Sequence, residues 1–145
     1  MIRRFEAADL EEVMQIWLEA NIQAHDFIPQ NYWMDHYAMV KDMLPSAELF
    51  VFQSDRSRTI DGFIGMSGGY IEGIFVREQE WSKGIGKRLL NHVKAAKGEL
   101  SLSVYQKNEA AVRFYIREGF SVQAEKTDED TGEAELSMVW KRGNL

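Results

Sequence analysis

Between Tyr70 and Val104 the sequence reads as strand, loop, helix and strand, and this stretch constrains the fold more than any other. Tyr70 to Val76 is a largely apolar β-pattern. Ile85, Leu89, Leu90, Val93 and Ala96 recur at helical spacing. Leu100 to Val104 alternates apolar and small polar residues, which is the period of a strand. Two strands joined by a crossover helix run parallel in one sheet. The strand from Tyr70 and the strand from Leu100 are therefore expected to run parallel, with the helix as their crossover.

The junction between the first strand and the helix is Trp81-Ser82-Lys83-Gly84-Ile85-Gly86-Lys87. The first turn of a helix carries N–H groups without intrahelical partners and a partial positive charge. Gly84 and Gly86 remove side chains there, so an anion could approach the backbone. Ser82 stands where an N-cap is expected, and Lys83 and Lys87 add positive charge. On its residues the junction reads as a phosphate or pyrophosphate cradle, or as a plain Gly-containing turn. It is not GxxxxGK[ST], because Trp81 occupies the first Gly position, nor GxGxxG, because Leu89 occupies the last.

The rest of the chain supplies hairpins and helices. Ile2 to Glu6 reads as a strand. Asp9 is placed to cap a helix with Leu10, Val13, Met14, Trp17 and Asn21 on one stripe. Ala24 to Pro29 breaks that pattern. A second helix carries Trp33, Tyr37, Val40 and Leu44 on one face, and Pro45 stops it. Strands follow at Glu48 to Gln53 and Thr59 to Ser67, with Gly68-Gly69 as a hairpin turn or bulge. After Val104, Asn108 begins a helix that Gly119 ends. Final strands run from Phe120 to Ala124 and from Ala134 to Trp140, around a turn at Asp128 to Gly132. The order β-α-α-β-β-β-α-β-α-β-β predicts an α/β chain of the α+β type. Its sheet is mixed and mostly antiparallel, with helices on both faces.

The length of 145 residues fits a single domain over 1–145, and 45% apolar residues supply a core. The absence of cysteine excludes disulfides, thiolate metal sites and a cysteine nucleophile; no metal is expected. A net charge of −6 argues against nucleic acid as the main partner. No apolar run approaches the ~20 residues of a membrane span, and the N-terminus lacks a signal pattern. A cytoplasmic protein without membrane contact, monomer or homodimer, is the expectation.

The second informative stretch is Asn108-Glu109-Ala110-Ala111-Val112-Arg113-Phe114-Tyr115-Ile116-Arg117-Glu118-Gly119-Phe120. On a helix, Asn108, Ala111 and Tyr115 share one stripe. A polar residue, a small residue and a phenol thus line one edge, with room for a thin ligand at Ala111. Taken alone, Tyr115 reads as a core tyrosine.

Together the two stretches resemble the GNAT acetyltransferase superfamily. Lys-Gly-Ile-Gly-Lys after a strand ending in Val76 is similar to that family's coenzyme A pyrophosphate loop, Arg/Gln-x-x-Gly-x-Gly/Ala, with Trp81 in place of the usual Arg or Gln. Asn-x-x-Ala-x-x-Phe-Tyr-x-x-x-Gly-Phe is similar to its second signature. Ala24-His25-Asp26-Phe27-Ile28 and the following Tyr32-Trp33 look like the small bacterial protein-lysine acetyltransferases. The resemblance implies a GNAT fold in which the parallel strand pair splays and acetyl-CoA lies in the gap. It implies that Ile74, Phe75 and Val76 offer backbone to the pantetheine arm. Ser82, Lys83, Gly84, Ile85, Gly86 and Lys87 would hold the pyrophosphate, Asn108 would contact the cosubstrate, and Tyr115 would stand at the thioester sulfur.

The implied reaction is acetyl transfer to a primary amine, on a protein lysine or a small molecule, by direct attack in a ternary complex. The amine must lose its proton first. Relatives often place a Glu five residues before the Asn, but this chain has Ser103 there. Glu72 and His25 are the titratable candidates for the acceptor site, and a water chain is an alternative base. Phe27, Trp33 and Tyr70 are candidates for an aromatic acceptor wall. The loop holding His25 and Phe27 is expected to lie away from both cosubstrate motifs. A module that binds acetyl-CoA as sensor or scaffold without turnover is the alternative function.

Overall fold

The computed structural model describes residues 1–143. Seven strands form one sheet: β1 (Ile2–Arg4), β2 (Glu48–Gln53), β3 (Ile60–Ser67), β4 (Tyr70–Val76), β5 (Glu99–Tyr105), β6 (Ser121–Thr127) and β7 (Ala134–Lys141), in the order β1-β2-β3-β4-β5-β7-β6. Four α-helices pack on it: α1 (Leu10–Ala24), α2 (Gln30–Met43), α3 (Ile85–Ala96) and α4 (Glu109–Arg117). Every pairing is antiparallel except β4 with β5, the pair joined by α3. That is the mixed sheet read from the sequence.

Two cores flank the sheet. On one side, Leu89, Leu90 and Val93 of α3 and Tyr115 of α4 pack on Leu100, Leu102 and Val104 of β5. On the other, Val13, Met14, Trp17 and Trp33 of α1 and α2 pack on Leu49, Val51 and Phe63. The alternation of β5 therefore points Leu100, Leu102 and Val104 at α3 and α4. Ser101, Ser103 and Tyr105 point to the opposite face.

Two irregularities shape the centre. The parallel pairing covers only Tyr70 with Ser101 and Ile71 with Leu102, and then stops. Against β3, Gly65 pairs with Gly73 and Met66 with Ile71, so Glu72 has no partner and forms a β-bulge. The bulge falls where the parallel pair parts.

Two caps differ from the sequence reading. Asp9 occupies the N-cap position of α1, but its side chain makes no cap hydrogen bond to that helix. A 3₁₀ turn at Ala7–Asp9 precedes the helix and turns the carboxylate back. It accepts from the Arg3 guanidinium at 2.9 Å on each oxygen and from the Glu6 N–H at 2.8 Å. Ser82 does not cap α3 either. It has φ 65°, and the cap position falls to Gly84 at φ 83°, because the helix begins at Ile85. Glycine adopts a left-handed backbone of that kind without the strain that a side chain adds.

Candidate active site

The end of β4 and the start of α3 form one wall. The Arg77 N–H donates to the carbonyl of Asp61, near the start of β3, at 2.8 Å. Backbone direction alternates along a strand, so Phe75 also turns its N–H and C=O to β3. Ile74 and Val76 turn theirs to the side that β5 has left. This corrects the expectation for Phe75, whose backbone belongs to the β3 ladder. Its ring lies on the α1/α2 face, stacked on Phe63 at 4.9 Å. A Cβ at Gly73 would come within 2.5 Å of that ring, which is why glycine stands there.

After Val76 the chain makes a 3₁₀ turn, and the Trp81 indole N–H donates back to the Val76 carbonyl at 2.7 Å. Lys83 pairs with Glu80 at 2.7 Å, so its charge is already matched within the loop. Lys87 lies 3.9 Å from Glu118, a longer contact that leaves it largely exposed. A Cβ built on Gly86 would meet Phe114 at 3.7 Å and Ile74 at 3.9 Å. Gly86 therefore faces the passage between the open edge of β4 and helix α4.

Helix α4 forms the opposite wall. Asn108 is its N-cap, with Oδ1 accepting from the Ala111 N–H at 3.3 Å. Tyr115 is buried among Phe114 and Phe120, with ring centroids at 5.2 and 5.5 Å. Its hydroxyl has no hydrogen-bond partner among the described residues. Burial raises the phenol's pKa, so it stays protonated at any ordinary pH.

The α1/α2 face holds the acceptor-side candidates. His25, Phe27 and Trp33 do come together, joined by Tyr105, which the sequence reading missed. His25 stacks on Trp33 at 5.2 Å and meets Tyr105 and Phe27 edge-on at 5.1 and 5.6 Å. The Tyr105 hydroxyl donates to Asp128 in the β6–β7 turn. The alternation that placed Ser103 also placed Tyr105 two residues on, and that was the available signal. Tyr70 stands apart. It pairs with Ser67 and Ser101 at the closed end of the parallel pair, and its ring joins none of these contacts. Ser103 pairs with Ser137 on the same face as Tyr105. The bulge directs Glu72 into a groove of about 610 Å³ on the α1/α2 side, lined by Trp17, Val40, Met43, Phe63 and Phe75. Glu72 is exposed and has no salt-bridge partner among the described residues.

One expectation is overturned. The loop between α1 and α2 is not remote from the second motif, because His25 Nε2 lies 3.3 Å from Asn108 Nδ2. Burial lowers the His25 pKa to about 4, against a smaller opposing pull from the Asn21 carbonyl. The ring is therefore neutral near pH 7. Around this mouth the field is negative. The Tyr32 phenol's pKa is pushed up by burial and then by Asp128, Asp130 and Glu135, and the Glu135 carboxyl's is pushed up by burial and by Asp128.

Residues 45–122 match the family model described as the acetyltransferase (GNAT) domain. This chain belongs to the GNAT acetyltransferase family. It is an N-acetyltransferase by that membership and by its curated relatives. The peptidyl-lysine N-acetyltransferase YiaC of Escherichia coli is 36% identical over 124 residues, 84% of each chain. The peptidyl-lysine N-acetyltransferase YjaB of Escherichia coli is 31% identical over 131 residues, 90% of this chain and 88% of the relative. The solution structure of apo YjaB superposes with a TM-score of 0.86 at 29% identity, over 97% of this chain and 96% of that one. Among the described residues, no helix is long and apolar enough to cross a membrane, and no three His, Asp or Glu side chains group as a metal site would require.

Proposed function

We propose that this enzyme transfers the acetyl group of acetyl-CoA to the ε-amine of a protein lysine, by direct attack in a ternary complex. The observation that carries the reading is the open edge of β4. Past Ile71 and Leu102 the parallel pair ends, and the backbone of Ile74 and Val76 faces a passage walled by Gly86, Phe114 and the helix of Tyr115. Unpaired backbone groups in such a cleft are costly, and an extended amide-bearing arm would pair with them like an added strand. The fit is partial at one atom, since the Val76 carbonyl is already held by Trp81. The backbone of Ile74 is what remains to pair with the arm, and the Val76 N–H is left for the thioester oxygen.

Acetyl-CoA supplies an activated thioester, and the remaining work falls to the chain. Ser82 to Lys87 present backbone N–H groups at the start of α3 to the pyrophosphate. The Val76 N–H is the donor we assign to the oxyanion of the tetrahedral intermediate. Tyr115, neutral and without another partner among the described residues, donates to the departing thiolate. Asn108 stabilises the first turn of α4 beside the gap, in place of a direct contact.

The acceptor lysine has an ordinary pKa of about 10.4 and must attack as the free amine. Glu72, which lines the groove at the bulge and has no salt-bridge partner among the described residues, is the carboxylate we assign to take its proton. Phe27, Trp33 and Tyr105 wall the side of the site reached from the α1–α2 loop. The names of the relatives support a lysine acceptor, and so does the negative field of Asp128, Asp130 and Glu135, which favours a cation approaching that mouth. A thiol-release assay with acetyl-CoA against lysine peptides and small amines tests the reading, with mass spectrometry locating the acetyl group. Acetylated lysine peptide is the expected product. Tight acetyl-CoA binding with no acceptor modified would overturn it in favour of a sensor.

A further inference from the structure

We infer that His25 is a positioning residue for acetyl transfer: it fixes the Asn108 amide, and with it the first turn of α4, against the loop joining α1 to α2. This rests on the proposed placement of Tyr115 and α4 at the reacting thioester.

The hydrogen bonds determine how the two side chains meet. Asn108 Oδ1 accepts from the Ala111 N–H, which identifies the other amide atom as nitrogen. That nitrogen lies 3.3 Å from His25 Nε2, across 83 residues of sequence. An amide nitrogen only donates, so Nε2 accepts and the imidazole proton sits on Nδ1. Nδ1 is buried and has no hydrogen-bond partner among the described residues. Among the described residues Asn108 therefore makes the one hydrogen bond to the imidazole nitrogens, with the Asn21 carbonyl a weaker polar neighbour, while Trp33, Phe27 and Tyr105 hold its faces and edges. The charged groups nearby are engaged elsewhere: Lys107 lies over Phe27 at 5.8 Å and pairs with Glu133, and Asp128 accepts from Tyr105.

This arrangement excludes His25 as the proton acceptor for the incoming amine. Its Nε2 lone pair is committed, its other nitrogen is sealed, and burial holds the ring neutral. What it can do is orient. Helix α4 spans nine residues, Glu109–Arg117, too short to be stable by itself. Its position depends on its cap and its packing. Asn108 is that cap, and Ala111 and Tyr115 follow on the same stripe. Losing the His25 contact would free the cap and let the Tyr115 end move relative to β4, and small misplacements of a catalytic group are expensive in rate.

The test compares H25Q, H25N, H25F, N108A and the H25F/N108A double variant, with kcat and KM for acetyl-CoA and for the best lysine peptide, plus thermal melts. Glutamine places an acceptor oxygen near the position of Nε2, whereas asparagine ends near Nδ1. H25N and H25F should lower kcat by about tenfold or more, and H25Q should recover to within about threefold of wild type. The double variant should be no slower than the slower single one, because both remove the same contact. H25Q no better than H25N, or losses that multiply in the double variant, would overturn the inference. If H25F fails to fold, the Gln–Asn comparison still decides it, since both side chains are polar and one methylene apart. Y115F and G86E serve as references. If neither affects turnover, the site reading itself has failed. If both do while the His25 series is flat, only the role of His25 has failed.

Discussion

Replacing Tyr115 by Phe removes one oxygen from a ring held between Phe114 and Phe120. The hydroxyl has no hydrogen-bond partner among the described residues, so the packing should survive unchanged. With no hydrogen bond to lose among the described residues, Tyr115→Phe should leave stability nearly unaltered. At this chain length 1 kcal/mol moves the melting temperature by roughly 2–4 °C. Turnover should fall. A positioned general acid contributes ~10²–10⁴-fold, or about 2.7–5.5 kcal/mol of barrier. Affinity for acetyl-CoA should fall less than about tenfold, the worth of one neutral hydrogen bond. Because burial keeps the phenol protonated, the deficit should be constant from pH 7 to 9. Stopped-flow thiol release, calorimetry of acetyl-CoA binding and a thermal melt measure these quantities on the same samples. Wild-type turnover in the folded variant would refute the role of Tyr115. A melting temperature lowered by several degrees would instead show that the hydroxyl has a structural partner.

Gly86→Ala should fold and gain up to about 1 kcal/mol of helix stability, since its Cβ makes only ordinary contacts with Phe114 and Ile74. Gly86→Glu should lose acetyl-CoA affinity, because a like charge about 6 Å from a phosphate costs about 3 kcal/mol at an effective dielectric near 20; unchanged calorimetric affinity would remove the loop from the site. Glu72→Gln should cut kcat/KM at pH 7 by ~10²–10⁴-fold and recover partly at pH 9, where more acceptor is free amine; an equal deficit at both pH values would count against a proton-accepting role. Stability should depend on His25 in a defined window. Its pKa is about 4 when folded and about 6.5 when unfolded, so between these values the unfolded chain binds more protons. Folding is thus weakened as pH falls from 6.5 towards 4, by up to about 3 kcal/mol. Urea melts at pH 7 and pH 5 should show that slope in wild type and a flatter one in His25→Gln.

The element order and the parallel pair were legible in the residues because their signals are local. A strand, a helical stripe and a second strand carry their own periodicities, and the crossover leaves one arrangement for them. The stripe of Asn108, Ala111 and Tyr115 was legible for the same reason, as was the glycine-rich start of α3. The contacts that build the two walls were not. Which way Glu72 points depends on a bulge against β3, and one inserted residue reverses a side chain's face. That Phe75 serves β3 while Ile74 and Val76 face the gap depends on where the partner strands bond. Tyr70 looked like an acceptor aromatic but lies at the closed end of the pair. Tyr105 was overlooked because a lone tyrosine on a strand carries no motif. His25 meets Asn108 across 83 residues, and no local spacing records such a meeting. Sequence periodicity determined the elements and the chemistry they carry. Only folding the α1–α2 loop over β5 decided which of those groups touch, because side-chain contact is set by three-dimensional packing and not by distance along the chain.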